Sequence, residues 1–344
     1  MIPSEHTVAI HRGRHAGCGP NFRGAGRDTP NAVALPISSG ALTPVTALSM
    51  TALMRMVGAI LGVGTVQFFA ADFVALVPTG NTGLLVTIVG LAVTLAWAIF
   101  TWFRGATVST SHALTASITG GAIALSLLGT HPLDLAALSP VGLGIGISLL
   151  ASPLLAAASA WLIALPITFA FKDTAPHRVG YGSRGALAIS AAANGLGHGV
   201  QYGQRMYIIM LMTLAAAGFK PESMWLITGC IVVVLGLGTF VTAWRVNYTL
   251  TRRISLLDPL HSAVASSTSA LLLLIGSFML HIPLSSSLTT VAAITGAGTA
   301  QNSGAVRWIQ VVRLMIYFLG TVLICAAVAF IIIGLGAAAV TNIV

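Results

Sequence analysis

Two short runs of hydroxyl side chains recur in an otherwise apolar chain. They comprise Ser109, Thr110 and Ser111 in the first run and Ser285, Ser286 and Ser287 in the second. Hydroxyl groups, together with the free N–H groups at the start of a helix, form a set of donors that suits an anion. Serine and threonine also fill small contacts between membrane helices. Because the two runs occupy matching positions, the anion site is the favoured interpretation.

The two runs belong to a longer internal repeat. Residues 108–120 align with residues 284–296 without a gap, and both segments end in Ile-Thr-Gly. A polar, glycine-containing segment precedes each run, the first around Asp28 and the second around Gln201. Interrupted segments at corresponding places in two halves point to the binding site of a transporter. The sequence therefore predicts two related halves that join near residue 178.

The first polar segment, residues 24–43, carries Arg27, Asp28 and Asn31 beside Pro30. Proline and nearby glycines disturb a helix, and backbone groups freed in a membrane must line a protein cavity. An acidic side chain in that setting is a candidate functional residue. Asp28 is therefore predicted to bind a coupling cation or to carry a proton. Pairing with Arg27 and capping of a following half-helix remain alternatives.

The second polar segment, residues 194–205, is predicted to interrupt a helix in the same way. Arg205 lies in this segment as Arg27 lies in the first, and a guanidinium matches an oxyanion in a bidentate manner. One hypothesis is that these arginines replace part of the cation charge at the site. Pairing with Asp28, or reaching the membrane interface, is the alternative. His112 and His198 are candidate proton relays, although a lone histidine is more often a polar residue with a local partner.

Composition indicates a membrane protein. Of the 344 residues 56% are hydrophobic and 7% are charged, whereas a soluble domain carries roughly 25% charged residues. Apolar runs of full membrane length predict a multi-pass protein of the cell membrane. The net charge of +9 fits basic loops on the cytoplasmic side better than nucleic-acid binding, because no basic cluster is interleaved with aromatic residues. The three cysteines lack metal-site spacing, and Cys230 and Cys325 are predicted to be small packing residues.

These patterns predict an all-α membrane protein made of two inverted repeats with broken helices and re-entrant hairpins. Residues 1–23 are polar and basic, and they are predicted to be a disordered tail rather than a metal site formed by their histidines. They lack the apolar core of a signal peptide. The first repeat is predicted to span 24–171 and the second 185–344, with 172–184 as a basic loop between them. Within the first repeat we expect a half-helix over 31–40, membrane spans over 43–70 and 80–103 with Trp97 as an interface anchor, and a re-entrant hairpin from 104 to 121. Gly58 and Gly62 are predicted to allow close helix packing.

Three motifs resemble the signatures of the inorganic phosphate transporter (PiT-type) family, which also includes sulfate permeases. Residues Arg27–Ala32 resemble the family motif Gly-x-Asn-Asp-x-x-Asn-Ala, and Thr107–His112 resemble the hairpin motif Pro-Val-Ser-Thr-Thr-His. In the second half, His198–Arg205 resemble His-Gly-x-Asn-Asp-x-Gln-Lys. The similarity extends from about Gly24 to the C-terminus.

The resemblance implies an ion-coupled symporter that moves inorganic phosphate by alternating access, with sulfate as the alternative substrate. It implies no enzyme activity, no metal and no cofactor besides a coupling ion, Na⁺ or H⁺, and it allows a homodimer in the lipid bilayer. The residues implied for the substrate are the six hydroxyl residues with Arg27, Gln204 and Arg205. Those implied for the coupling ion are Asp28, Asn31 and Gln201.

Several positions depart from the family pattern. Arg27 stands where the first motif has Asn, and Gln201 and Tyr202 stand where the second has Asn and Asp. Tyr202 removes an anionic ligand, so sodium and proton coupling both remain open, as does a relative that no longer transports. The second run has Leu288 in place of the histidine, and residues 1–23 lack the expected apolar segment, which suggests an incorrect start or a truncated product. An intramembrane hydrolase using a serine with His112 or His198 is disfavoured, because no Gly-x-Ser-x-Gly turn occurs.

Overall fold

The computed structural model describes residues 29–66, 77–78, 80–104, 106, 108–129, 131–132, 135–219, 224–243, 254–279 and 284–341. All regular secondary structure in these residues is helical. The helices are α1 (Thr29–Ser38), α2 (Pro44–Thr65), α3 (Asn81–Phe103), α4 (Thr110–Leu127), α5 (Leu135–Gly146), α6 (Ser152–Ala170), α7 (Pro176–Ala216), α8 (Met224–Ala243), α9 (Pro259–Phe278), α10 (Ser286–Asn302) and α11 (Trp308–Thr341). A π-helical turn (Ile147–Ala151) joins α5 to α6, and a 3₁₀ turn (Ser303–Ala305) follows α10. The predicted tail 1–23, Arg27 and Asp28 lie outside the described residues.

Five of the described helical stretches are long and apolar enough to cross a bilayer. They are Pro44–Thr65, Asn81–Thr101, Val141–Ala170, Pro259–Phe278 and Trp308–Gly336. Large aliphatic side chains on their outer faces, such as Leu154 and Leu323, are exposed, as expected of surfaces that face lipid. The predicted all-α membrane protein is therefore confirmed. The inverted orientation of the two repeats stays a prediction.

The second polar segment does not break a helix, contrary to the sequence-based expectation. Residues 194–205 lie in the middle of the continuous 41-residue helix α7. Gly195, Gly199 and Gly203 recur every four residues on one face of α7 and pack against the backbone of α2. A Cβ atom on Gly199 would overlap the Arg55 carbonyl. Close backbone packing offsets the low helix propensity of glycine, so the polar side chains between these glycines are carried by an unbroken helix.

Helix α2 contributes small residues to the same contact. A Cβ atom on Gly58 would overlap the carbonyl of Leu196, and one on Gly62 would overlap that of Val200. The prediction that these two glycines allow close packing is confirmed. Because neither helix has side chains at these points, the backbones of α2 and α7 lie in direct contact beside the polar stripe of α7.

Two other boundaries differ from the expectations. The predicted loop over 172–184 is limited to a turn before Pro176, where α7 begins, so most of that segment is helical. Proline at the first position of a helix is favourable because its missing N–H has no partner there. The predicted half-helix over 31–40 is observed as α1, Thr29–Ser38. The division into two repeats is unaffected by these shifts and stays a prediction.

Three expectations about single side chains had mixed outcomes. Trp97 was predicted to anchor the chain at the membrane interface, and this stays a prediction; its indole N–H donates to Thr321 Oγ1 of α11 at 2.9 Å. Cys325 is buried, as predicted for a packing residue. Cys230 is exposed, so the same prediction is wrong for that cysteine. A periodic apolar pattern does not specify which face of α8 meets a neighbouring helix.

The start of α9 is tied to the end of α6. Asp258 caps α9 by accepting the His261 backbone N–H at 2.8 Å, and its carboxylate also pairs with His261 Nδ1 at 2.9 Å. His261 Nε2 lies 3.2 Å from Thr168 Oγ1 of α6. Partial burial acts to raise the pKa of Asp258, but hydrogen bonds from His261 and its charge together hold the pKa below the ordinary value. This cluster links an element of the predicted first repeat to one of the second.

Helices α4 and α10, which begin at the two hydroxyl runs, pack in a reciprocal way. Helix α4 lies against α11, and Gly120 directly faces the backbone of Ala326. Helix α10 lies against α6, and Gly296 directly faces the backbone of Ala157. Gly120 and Gly296 are the glycines at the aligned ends of the repeat. Each of these helices is thus packed on a long apolar helix of the opposite predicted half. The re-entrant path of the hairpins stays a prediction.

Candidate anion site

The two hydroxyl runs begin their helices in the same way. Ser109 has φ −84° and ψ 113°, and its hydroxyl accepts the His112 N–H at 3.3 Å. Ser285 has φ −77° and ψ 108°, and its hydroxyl accepts the Leu288 N–H at 3.4 Å. Both are N-caps, a position for which serine is strongly preferred. The aligned repeat therefore has the same local structure at both sites.

These helix starts are interior. Ser109, Ser111, Ser285, Ser286 and Ser287 are all buried. The first N–H groups of a helix have no partner within the helix, and the positive end of the helix dipole lies there. Each start therefore presents backbone N–H groups, serine hydroxyls and a partial positive charge inside the protein.

Ser148 joins the two starts. It lies in the π-helical turn before α6 and is fully buried. Its Oγ accepts the Ser285 backbone N–H at 3.0 Å and lies 3.0 Å from Nε2 of His112. The hydroxyl of Ser152 donates to the Ser148 carbonyl at 2.5 Å, which gives the widened turn a further hydrogen bond. Ser148 thus connects His112, in the first turn of α4, to Ser285, the first residue of the second run.

Sequence reasoning missed Ser148. A single serine inside an apolar run has no pattern that separates it from the many small packing residues of membrane helices. The informative feature is the π turn, a type of irregularity that often occurs at functional sites. That turn is set by packing between helices, so it was not visible in the sequence.

Helix α7 carries a stripe of buried polar residues, some of which were predicted to belong to the site. Its members are Asn194, His198, Gln201 and Gln204, all at most 2% exposed. Two of them have fixed partners: Asn194 Nδ2 donates to the Ser266 carbonyl at 3.1 Å, and Gln204 Nε2 donates to Thr65 Oγ1 at 2.7 Å. The amide nitrogen of Gln204, a residue predicted to bind substrate, is therefore engaged with α2.

Arg205 is held by its own helix. Its Nε donates to the Gln201 carbonyl at 2.9 Å, and Nη2 lies 3.4 Å from Gln201 Oε1. The guanidinium also lies over the Tyr202 ring, 4.7 Å from the ring centre, and Tyr202 in turn stacks with His198. Gln201 Oε1, predicted as a ligand of the coupling ion, thus faces a guanidinium.

Several buried polar atoms in the described part of the chain have no hydrogen-bond partner. They include Nδ1 of His112, both ring nitrogens of His198, Oδ1 of Asn194, Nε2 of Gln201 and Oγ1 of Thr289. Buried polar atoms are normally paired with protein or with a bound molecule. These atoms, on α4, α7 and α10, include both donors and acceptors.

The structure thus brings together part of the predicted site. Ser148 connects His112, in the first turn of α4, to the N-cap Ser285 of α10, and Arg205 is held on α7 by Gln201 and Tyr202. Thr110 starts α4 and is only partly buried. Arg27 and Asp28 lie outside the described residues, and for Asn31 the structure describes the helical backbone alone. The roles of these three residues stay predictions.

Comparison with known proteins identifies the family. The phosphate transporter family model matches residues 24–329. A probable low-affinity inorganic phosphate transporter of Bacillus subtilis is 28% identical over 316 residues, which cover 90% of this chain and 92% of the relative. A protein of the same description from Mycobacterium tuberculosis is 28% identical over 309 residues, 88% of this chain and 71% of the relative.

A solved structure of a sodium-dependent phosphate transporter superposes with a TM-score of 0.62 at 16% identity and covers 89% of this chain and 93% of its own. At that identity the likeness shows a shared fold. The relatives are transporters by name, in agreement with the prediction that the chain is not an enzyme. The family model matches most of the chain, and the fold is that of a solved phosphate transporter. The chain is therefore a multi-pass membrane protein of the phosphate transporter family.

Proposed function

We propose that this chain carries inorganic phosphate across the cell membrane as an ion-coupled symporter. The observation that supports it most is the meeting of the two serine-capped helix starts through Ser148, because the starts belong to aligned repeats. The names of the family and of the relatives support phosphate as the substrate.

The arrangement suits a tetrahedral oxyanion. Two helix N-termini with buried serines supply hydroxyl and backbone N–H donors from two directions, so different oxygens of one anion can be bound at once. No described carboxylate lies among these residues, since Asp173 and Asp258 are the described acidic residues and both lie outside the helices. The proposed substrate ligands are Ser109, Thr110, Ser111, Ser285, Ser286, Ser287, Gln204, Arg205 and Arg27.

Alternating access is supported by the reciprocal packing. Helix α4 is packed on α11 and α10 on α6, so the two helix starts belong to units that each combine parts of both predicted halves. A rocking motion of these units about the shared site would expose it to one side and then to the other. Two halves of inverted orientation would give both states similar structures.

The coupling ion is proposed to be Na⁺ or H⁺, bound by Asp28, Asn31 and Gln201. The sodium dependence of the solved phosphate transporter that shares this fold supports Na⁺. The contact between Gln201 Oε1 and Arg205 supports the hypothesis that a fixed guanidinium provides part of the cation charge. A homodimer stays a prediction.

Uptake by the purified protein in liposomes tests this proposal. We expect labelled phosphate to accumulate when a Na⁺ or H⁺ gradient is imposed and not when both gradients are collapsed. Empty liposomes control for leak, and labelled sulfate measured in parallel identifies a sulfate permease. Phosphate entry that no gradient accelerates would contradict symport, and no entry of either anion would favour a relative that no longer transports.

A further inference from the structure

One imidazole at the helix starts has a hydrogen-bond partner at one ring nitrogen and none at the other. His112 lies in the first turn of α4 and is 3% exposed. Its Nε2 lies 3.0 Å from Ser148 Oγ, while its Nδ1 is buried and has no partner among the described residues. The ring therefore stands between the two helix starts with one nitrogen engaged and one available.

The contact with Ser148 allows the tautomer in which Nε2 carries the proton. Its Oγ accepts the Ser285 backbone N–H, because a backbone amide can only donate. A serine oxygen has two lone pairs, so it can also accept an N–H from Nε2 of His112. In that tautomer Nδ1 of the neutral ring has a lone pair and is a hydrogen-bond acceptor.

A nitrogen that can only accept differs from the serine hydroxyls, which rotate to donate or accept, and from the backbone N–H groups, which only donate. Serine hydroxyls, backbone N–H groups and a guanidinium bind any tetrahedral oxyanion, and so they do not separate phosphate from sulfate. The two anions differ in one respect: both forms of phosphate present at neutral pH carry a P–OH proton, whereas sulfate carries none. A neutral imidazole nitrogen can accept that proton in a hydrogen bond.

Resting on the phosphate-transport function proposed above, we infer that His112 is the specificity-determining residue of this chain. Its Nδ1 accepts the P–OH of bound phosphate, and Ser148 holds the ring in the required tautomer. Sulfate would leave Nδ1 facing an oxygen lone pair, and a site built to pair with a substrate hydroxyl rejects an analogue that lacks it. The second run has Leu288 at the matching position, fully buried and apolar, so discrimination resides in the first half.

Competition against uptake of labelled phosphate into proteoliposomes tests the inference. Arsenate carries an As–OH, whereas sulfate and monofluorophosphate carry no proton at neutral pH. For the wild-type protein we expect half-inhibition by arsenate at a concentration at least about 100-fold below that for sulfate or monofluorophosphate. Equal inhibition by all three anions would overturn the inference. Absence of phosphate uptake by the wild-type protein is a different result, which rejects the proposed function itself.

Two variants of His112 test the roles of its two ring nitrogens one at a time. In His112→Gln the amide reaches the place of Nε2 and keeps the contact with Ser148, but the acceptor at Nδ1 is lost. In His112→Asn the amide oxygen stands near the place of Nδ1 and keeps the acceptor. We expect the ratio of the half-inhibition concentrations of sulfate and arsenate to fall to about tenfold or less in His112→Gln and to stay near the wild-type value in His112→Asn.

Two further variants guard against misfolding and a general packing effect. Leu288→Met, the matched change in the second run, is expected to keep the wild-type ratio. Ser148→Ala removes the hydrogen bond to the His112 ring and is expected to reduce the ratio of half-inhibition concentrations. Ser148→Thr retains the hydroxyl and is expected to keep the wild-type ratio. Each variant is first checked for a monodisperse profile in detergent. An unchanged ratio in a folded His112→Gln or Ser148→Ala protein would show that His112 does not select the substrate.

Discussion

Replacing Ser109 and Ser285 together with alanine is expected to lower the initial rate of phosphate uptake at least about 100-fold, and either change alone about tenfold. Each serine caps its helix, which is worth about 1 kcal/mol, and supplies a hydroxyl to the proposed anion, where a hydrogen bond to a charged group contributes roughly 1.5–3 kcal/mol. A factor of ten corresponds to about 1.4 kcal/mol, so two such losses account for the expected decrease.

The measurement is the initial uptake rate in proteoliposomes at equal protein content. Ser277→Ala is the matched control, because Ser277 is also buried and its hydroxyl donates to the Leu273 carbonyl of its own helix at 2.7 Å. That control is expected to stay within about twofold of wild type, since a back-bonded serine contributes little. A folded double variant with near wild-type uptake would mean that the serines fill space between helices and do not bind the substrate.

Introducing valine at Gly120 or at Gly296 is expected to destabilise the fold by at least about 3 kcal/mol. A Cβ atom at either position would overlap a backbone carbonyl, that of Ala326 or of Ala157, and backbone cannot turn aside as a flexible side chain does. The two effects should be of similar size, because the glycines occupy aligned positions in reciprocal contacts. Thermal unfolding in detergent, followed by the loss of the monodisperse peak, measures both.

Gly229→Val provides the control for this comparison. Gly229 lies on the exposed face of α8, and a Cβ atom added there would have no atom within 4 Å. We therefore expect the free energy of unfolding of the protein to change by less than about 0.5 kcal/mol. If Gly120→Val unfolds the protein and Gly296→Val does not, the two contacts are not equivalent, and the reciprocal arrangement of the halves loses its support.

The sequence predicted helix starts and a membrane-spanning helix, because both depend on residues that are close together in the chain. The hydroxyl runs were predicted to supply donors at helix starts, and Ser109 and Ser285 do cap helices with nearly the same geometry, because a serine hydroxyl accepts a free backbone N–H. The span predicted over 80–103 is observed as Asn81–Phe103, since a long apolar run is sufficient to specify a membrane helix.

Features that depend on a distant partner were predicted less well. The glycines of α7 suggested a broken helix, and only the facing backbone of α2 shows why they maintain a continuous one. Ser148 and His112 are 36 residues apart, and their contact depends on how α4 and the π turn pack. The proposed basis for choosing phosphate over sulfate could not be found from the donors in the sequence, because it rests on the contact of His112 with Ser148.

Phosphate transport by this chain, as proposed, requires that the starts of α4 and α10 bind a single anion between them. Anomalous X-ray scattering from arsenate bound to the protein tests this requirement directly. We expect one arsenic peak between the two starts, with arsenate oxygens within about 3 Å of donors from both Ser109–Ser111 and Ser285–Ser287. A peak away from both starts, under conditions in which arsenate blocks phosphate uptake, would contradict the shared anion site.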